Sequence, residues 1–125
     1  ETPYGLYYGV TRPGKEAAPH VHGLWGSTVA FSGVEVNRFW RRTDDGTSES
    51  QATVVQTHEI PVEPGRGMFL GADEMHSTVT IGTDESRLLH LYAQPFAKFP
   101  PVVFYHPELG TRRRLPASAG RTIRG

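Results

Sequence analysis

Fourteen glycines and ten prolines in 125 residues constrain this chain more than any other feature. They cut it into pieces mostly too short for a stable helix, and the pieces are rich in Val, Thr, Phe and Tyr. Eight segments read as strands: Tyr4–Thr11, Ser27–Ser32, Glu35–Arg42, Ala52–Ile60, Met68–Leu70, His76–Ile81, Arg87–Gln94 and Val102–His106. Asp45-Gly46 and Pro64-Gly65 are tight-turn signals between them. There is no amphipathic helix and no internal repeat. Short strands at close spacing in a chain of one domain's length predict an all-β sandwich or barrel, and a double-sheet jelly roll fits best.

Composition removes several functions. Cysteine is absent, which excludes disulfides, zinc–thiolate sites and cysteine nucleophiles together and agrees with a reducing, cytoplasmic location. No apolar run approaches the roughly 18 residues of a membrane span. Glu1 stands where a methionine would, with no signal-peptide pattern, which points to a processed or trimmed chain. Net charge is zero but uneven. From Glu108 to Gly125 five arginines (Arg112, Arg113, Arg114, Arg121, Arg124) face one acid, leaving 8 basic and 12 acidic groups elsewhere. The expected organisation is a barrel over 1–107 and a basic extension over 108–125. Because the run is short, it reads as a solvated extension and not as a nucleic-acid contact.

The residues with metal chemistry are histidines. Neighbours two apart in a strand point the same way, so His20 and His22 would project into one cavity. Six histidines in a chain this short yield His-x-His by chance often enough that the pair needs context.

That context is a resemblance. Gly14-Lys15-Glu16-Ala17-Ala18-Pro19-His20-Val21-His22, followed by Gly33, resembles the first motif of the cupins: a glycine, five residues, His-x-His and a later glycine. Gly65 to His76, with Thr80 beyond, resembles the second motif more loosely, since Gly71, Asp73 and Thr80 replace its usual proline, glycine and asparagine. The resemblance implies a cupin double-stranded β-helix, a jelly-roll barrel, with His20, His22 and His76 as metal ligands. In most cupins a glutamate completes the set, but its place falls at Gly26 or Ser27 here. A three-histidine face is similar to the cysteine dioxygenase-like branch, the thiol dioxygenases. Trp25-Gly26, the run Glu35–Arg42 into Asp44-Asp45-Gly46, and the 54 residues from His22 to His76 are similar to that branch too. Its members carry a Ser-x-His-x-Tyr relay after the third ligand. Leu88-Leu89-His90-Leu91-Tyr92 resembles this relay, with Leu88 in place of serine. Alternation puts Leu88, His90 and Tyr92 on one face.

The resemblance implies Fe(II), although imidazole also suits Zn, Cu and Ni. It implies a non-haem iron dioxygenase that oxidises a small thiol to a sulfinate with O2, with Tyr92 and His90 as catalytic residues. Two competing expectations stand beside it: a cupin metalloenzyme of another type, such as a carbon–carbon-cleaving oxygenase or an isomerase, and a non-catalytic metal-binding cupin module. The family's upstream arginine clamp for a substrate carboxylate has no match, since Arg12 lies too close to His20. Glu74 is a reserve ligand, Trp25 a candidate pocket wall and Trp40 core packing. Arg38 is an exposed hairpin residue that could otherwise reach the cavity. His58 belongs on a sheet face and His106 at a strand end. Neither nucleic acid nor a membrane is expected as a partner; exposed strand edges allow a homodimer.

Overall fold

The computed structural model describes residues 4–117. Ten strands follow one another: β1 (Gly5–Thr11), β2 (Glu16–Val21), β3 (Gly26–Ser32), β4 (Val34–Arg42), β5 (Val54–Val62), β6 (Met68–Leu70), β7 (Met75–Ile81), β8 (Ser86–Tyr92), β9 (Val102–His106) and β10 (Thr111–Leu115). Among the described residues the only helical turn is a 3-10 segment, Phe96–Lys98. The strands form two antiparallel sheets, one ordered β1-β8-β3-β6 and one β10-β9-β2-β7-β4-β5. This is the expected all-β jelly roll.

Two strands go beyond the eight expected. One is β2, which carries the histidine pair. The other is β10, which places Thr111–Leu115 of the basic segment alongside β9. There Arg112 donates to the Tyr105 hydroxyl (3.1 Å) and to the Glu49 carbonyl oxygen (3.2 Å). Arg121 and Arg124 lie outside the described residues.

Phe39, Val62, Met68, Leu70 and Leu88 fill the space between the sheets. A second apolar cluster, Ala52, Met75 and Tyr105 with Trp40 and Val103 against it, lies on the other face of the large sheet. The chain covers this cluster itself. Ala52 N–H donates to the Gly110 carbonyl and Arg112 N–H to Ser50, while Arg42 reaches the Ser48 and Gln51 carbonyls. Trp40, expected in packing, donates its indole N–H to Ser77 Oγ at 2.8 Å.

Two local features position the interior. At Gly33 (φ +73°) the chain bends as it passes from β3 in the small sheet to β4 in the large one, and a Cβ there would stand 2.4 Å from the Glu85 carbonyl oxygen, so only glycine fits. Between Ala17 and His20 the pairing of β2 with β7 shifts by a residue. The shift spans Ala18 and Pro19, and proline has no N–H to give a ladder. It resets the alternation, so Ala17 and His20 both face inward.

Candidate metal centre

His20 and His76 are register partners on neighbouring strands, and His22 follows the last residue of β2. All three side chains are buried, and one ligand nitrogen from each lies within 4.8 Å of the others. His20 Nε2 is 3.0 Å and His76 Nε2 3.4 Å from His22 Nε2.

Hydrogen bonds behind the rings fix which nitrogens face the centre. His20 Nδ1 lies 2.7 Å from the Ala18 carbonyl oxygen. A carbonyl only accepts, so Nδ1 donates and the lone pair of the neutral ring is on Nε2. His76 Nδ1 lies 2.9 Å from Asn37 Oδ1. The Asn37 amide nitrogen donates to the main-chain oxygen (3.4 Å) and to Oε1 (3.3 Å) of Glu35. That leaves Oδ1 as the acceptor for His76 and sends the His76 lone pair inward as well. Nitrogen lone pairs packed this closely need a proton or a cation among them. A metal ion held by three neutral imidazoles fits the donor set, while Zn, Fe, Cu and Ni all accept such ligands.

The place of the usual fourth ligand is taken by a ring. Gly26 pairs with Tyr92 across β3 and β8, and a Cβ on Gly26 would fall 2.7 Å from Tyr92 Cδ1. No side chain fits there while Tyr92 stays where it is. The Tyr92 ring stacks on His22 with centroids 5.6 Å apart, and the His90 ring lies parallel to it at 5.9 Å. His90 Nδ1 is 3.0 Å from Thr28 Oγ1 on β3. A hydroxyl partner for His90 is therefore present, supplied from the adjacent strand and not from position 88, where buried Leu88 packs in the core. Edge-on contacts from Phe99 to Tyr92 and His22, and a tilted contact from Phe104 to His20, add apolar wall.

These groups surround a cavity of about 180 Å³ between the sheets. Its lining includes one charged residue, Glu35, and no Lys or Arg among the described residues. Burial pushes the Glu35 carboxyl above its ordinary pKa, partly offset by the hydrogen bond from Asn37. A second, more open depression of about 550 Å³, lined by Phe96, Phe99, Leu115 and Pro116, holds none of the imidazoles.

Other expected candidates stand elsewhere. Glu74 is exposed and accepts the Gly71 N–H at 2.7 Å, so the reserve ligand is committed to its own turn. Trp25 does not wall the cavity. Its neighbour Gly26 faces inward, which turns Trp25 out to stack on Phe69 at 6.1 Å. Arg38 pairs with Glu59 at 3.8 Å on the outer face of β4, half exposed. His58 is exposed and lies flat on Phe39, 4.6 Å between centroids. Arg12 is exposed and His106 ends β9; neither lines the cavity. Sequence reasoning missed Thr28, Asn37 and Glu35. The one available signal was the alternation Glu35-Asn37-Phe39, which puts two polar residues on the face that carries a core phenylalanine.

No protein-family model and no curated protein sequence matches the chain. Solved structures do. An oxalate oxidase in complex with the substrate analogue glycolate superposes with a TM-score of 0.60 at 16% identity, over 82% of this chain and 46% of its own. The polyketide cyclase RemF from Streptomyces resistomycificus gives 0.52 at 22% identity, over 79% and 58%. The chain thus spans about half the length of these proteins. Both have the cupin fold. This chain has the cupin jelly-roll fold, and its three buried histidines form a group able to hold a metal ion.

Proposed function

We propose that this protein is a mononuclear Fe(II) dioxygenase that converts a small thiol to its sulfinate. The observation that carries the reading is the pairing of a carboxylate-free, three-imidazole face with Tyr92, stacked on His22 and backed by His90 and Thr28. Fe(II) bound by the three histidines would supply the place where a thiolate and O2 meet, both oxygen atoms passing to sulfur. A neutral ligand face leaves the ion its full charge, which favours an anionic thiolate over the neutral thiol. Tyr92 presents a phenol toward the same space, where it can donate a hydrogen bond to the reacting molecule. His90, held by Thr28, fixes the plane beside that phenol. Phe99, Phe104 and Val102 keep the wall apolar and limit water. Among the described residues the lining holds no Lys or Arg to match a substrate carboxylate, so a thiol without one is the better fit.

The test is oxygen consumption by Fe(II)-loaded protein across small thiols with and without a carboxylate. The expected result is O2 uptake with an equal amount of sulfinate, abolished in His76→Ala and reduced in Tyr92→Phe. Iron-loaded protein that consumes no O2 with any thiol would refute the assignment. Turnover of an oxygen-chelating diketone instead would favour a carbon–carbon-cleaving oxygenase.

A further inference from the structure

The four-stranded sheet departs from the usual pattern of an antiparallel sheet, which buries its apolar face and solvates its polar one: beyond the core residues Met68, Leu70 and Leu88 on its inner face, it is apolar toward solvent too. Toward the cavity it carries Tyr92, His90 and Thr28, with Gly5, Gly9 and Gly26 among its inward positions. Toward solvent it carries Leu6, Tyr8, Val10, Val29, Phe31 and Phe69, every one of them exposed. Register makes these a continuous surface. Leu6 lies beside Leu91, then Ser27, then Phe69; Tyr8 lies beside Leu89, then Val29. Phe69, Leu6 and Phe31 are 62%, 63% and 59% exposed, values that belong to a surface awaiting a partner and not to isolated apolar residues. The large sheet differs, because the 43–53 segment and β10 cover its outer apolar cluster. No described residue does this for the small sheet.

We infer that this face is the interface of a two-fold homodimer, in which the small sheets of two copies pack against each other. Area supports this occupant. At roughly 200 Å² per aromatic side chain and somewhat less per aliphatic one, the six exposed residues present roughly 600 Å². Leu89, Leu91 and Tyr4 bring the face to about the 800 Å² that each partner gives a standard interface, above the 300–600 Å² patch usual on a monomer. Charge supports it as well. Among the described residues the sole charged residue on the strands of this face is Arg87, at one end, already held by the Tyr8 hydroxyl (3.2 Å) and Glu85 (3.4 Å). Two copies can therefore meet without burying like charges. Four strands spaced about 4.8 Å apart present an apolar surface, two copies of which can pack with the sheets about 10 Å apart. A two-fold contact uses the face in both copies and closes the assembly. Residues 118–125 are a poor cover by composition, with Ile123 as their one large apolar residue beside Arg121 and Arg124.

Sedimentation velocity over a wide concentration range tests this on the full 125-residue protein. The expected mass is twice 13.8 kDa. The double substitution Val29→Glu/Phe31→Glu should halve it while far-UV circular dichroism is unchanged. A second measurement does not depend on how that variant folds. The chain has no cysteine, so Ser27→Cys carries a single spin label at the middle of the face. Strong dipolar broadening between labels, lost on dilution with unlabelled protein, is expected. A wild-type monomer would overturn the inference, as would a dimer without broadening or one that survives Val29→Glu/Phe31→Glu in folded form.

Discussion

Thr28 and Asn37 each act on the site through a histidine they hold, and their effects should separate. Asn37 fixes the ring of a ligand, His76. Asn37→Leu removes the acceptor that keeps Nδ1 protonated, so metal affinity should fall by about 10- to 100-fold in a chelator competition. Thr28 holds His90, which is outside the ligand set. Thr28→Val should leave metal affinity unchanged and lower turnover by about tenfold, with Thr28→Ser restoring it. Equal loss of affinity in both variants would contradict this division. Neither residue was legible in the sequence, because each depends on register: Thr28 meets His90 only through the pairing of β3 with β8, and Asn37 meets His76 across β4 and β7. The His-x-His pair was legible, since a two-residue spacing carries its own geometry. Leu88 shows the opposite hazard. Its mismatch with a serine marked a gap in the relay, although a hydroxyl from another strand fills the same need.

The inward-facing row Glu35, Asn37 and Phe39 on β4 places a buried carboxyl beside the metal centre's support. Because the fold raises the pKa of Glu35, the folded state holds its proton more tightly than the unfolded chain does. The stability it contributes is full below the ordinary value of 4.5 and is lost as pH rises through the folded value. Glu35→Gln should therefore raise the urea midpoint at neutral pH, with the gain vanishing as pH falls below 4.5. A gain that grows toward low pH would contradict this sign. The β4–β5 hairpin has the reverse dependence. Asp44 accepts from Arg42, Gly46 and Thr53, each at 2.7 Å, and its pKa is lowered to about 2. Its contribution holds above 3.8 and is lost as pH falls toward 2. Hydrogen exchange of the Thr53 amide should accelerate in Asp44→Asn near neutral pH, relative to the unaltered protein, and the difference should shrink at acid pH. The turn here was readable from Asp45-Gly46, whereas the elements missed were β2, broken by Pro19, and β10, whose arginines read as a solvated run.

At the scale of the molecule, a jelly roll was the expected outcome because glycine and proline leave room for little else. Which face of each strand would be buried was harder to read. In β1 the apolar positions Leu6, Tyr8 and Val10 point outward, and Gly5 and Gly9 point in; a Cβ on Gly5 would stand 2.7 Å from the Gln94 carbonyl oxygen, while Gly9 lies beside His90. Apolar alternation alone would have placed them the other way. The barrel thus shares its interior between an apolar core and the polar residues of the cavity, and leaves a leucine- and phenylalanine-rich face outside. Its centre is the cluster of three imidazoles, and its chemistry depends on whether that cluster binds a metal. Cobalt(II) titration followed by visible absorption measures this directly. One equivalent per chain with d–d bands is expected, lost in His20→Ala, His22→Ala and His76→Ala and retained in Tyr92→Phe. Absence of binding by the wild-type protein, or binding that survives replacement of all three histidines, would contradict it.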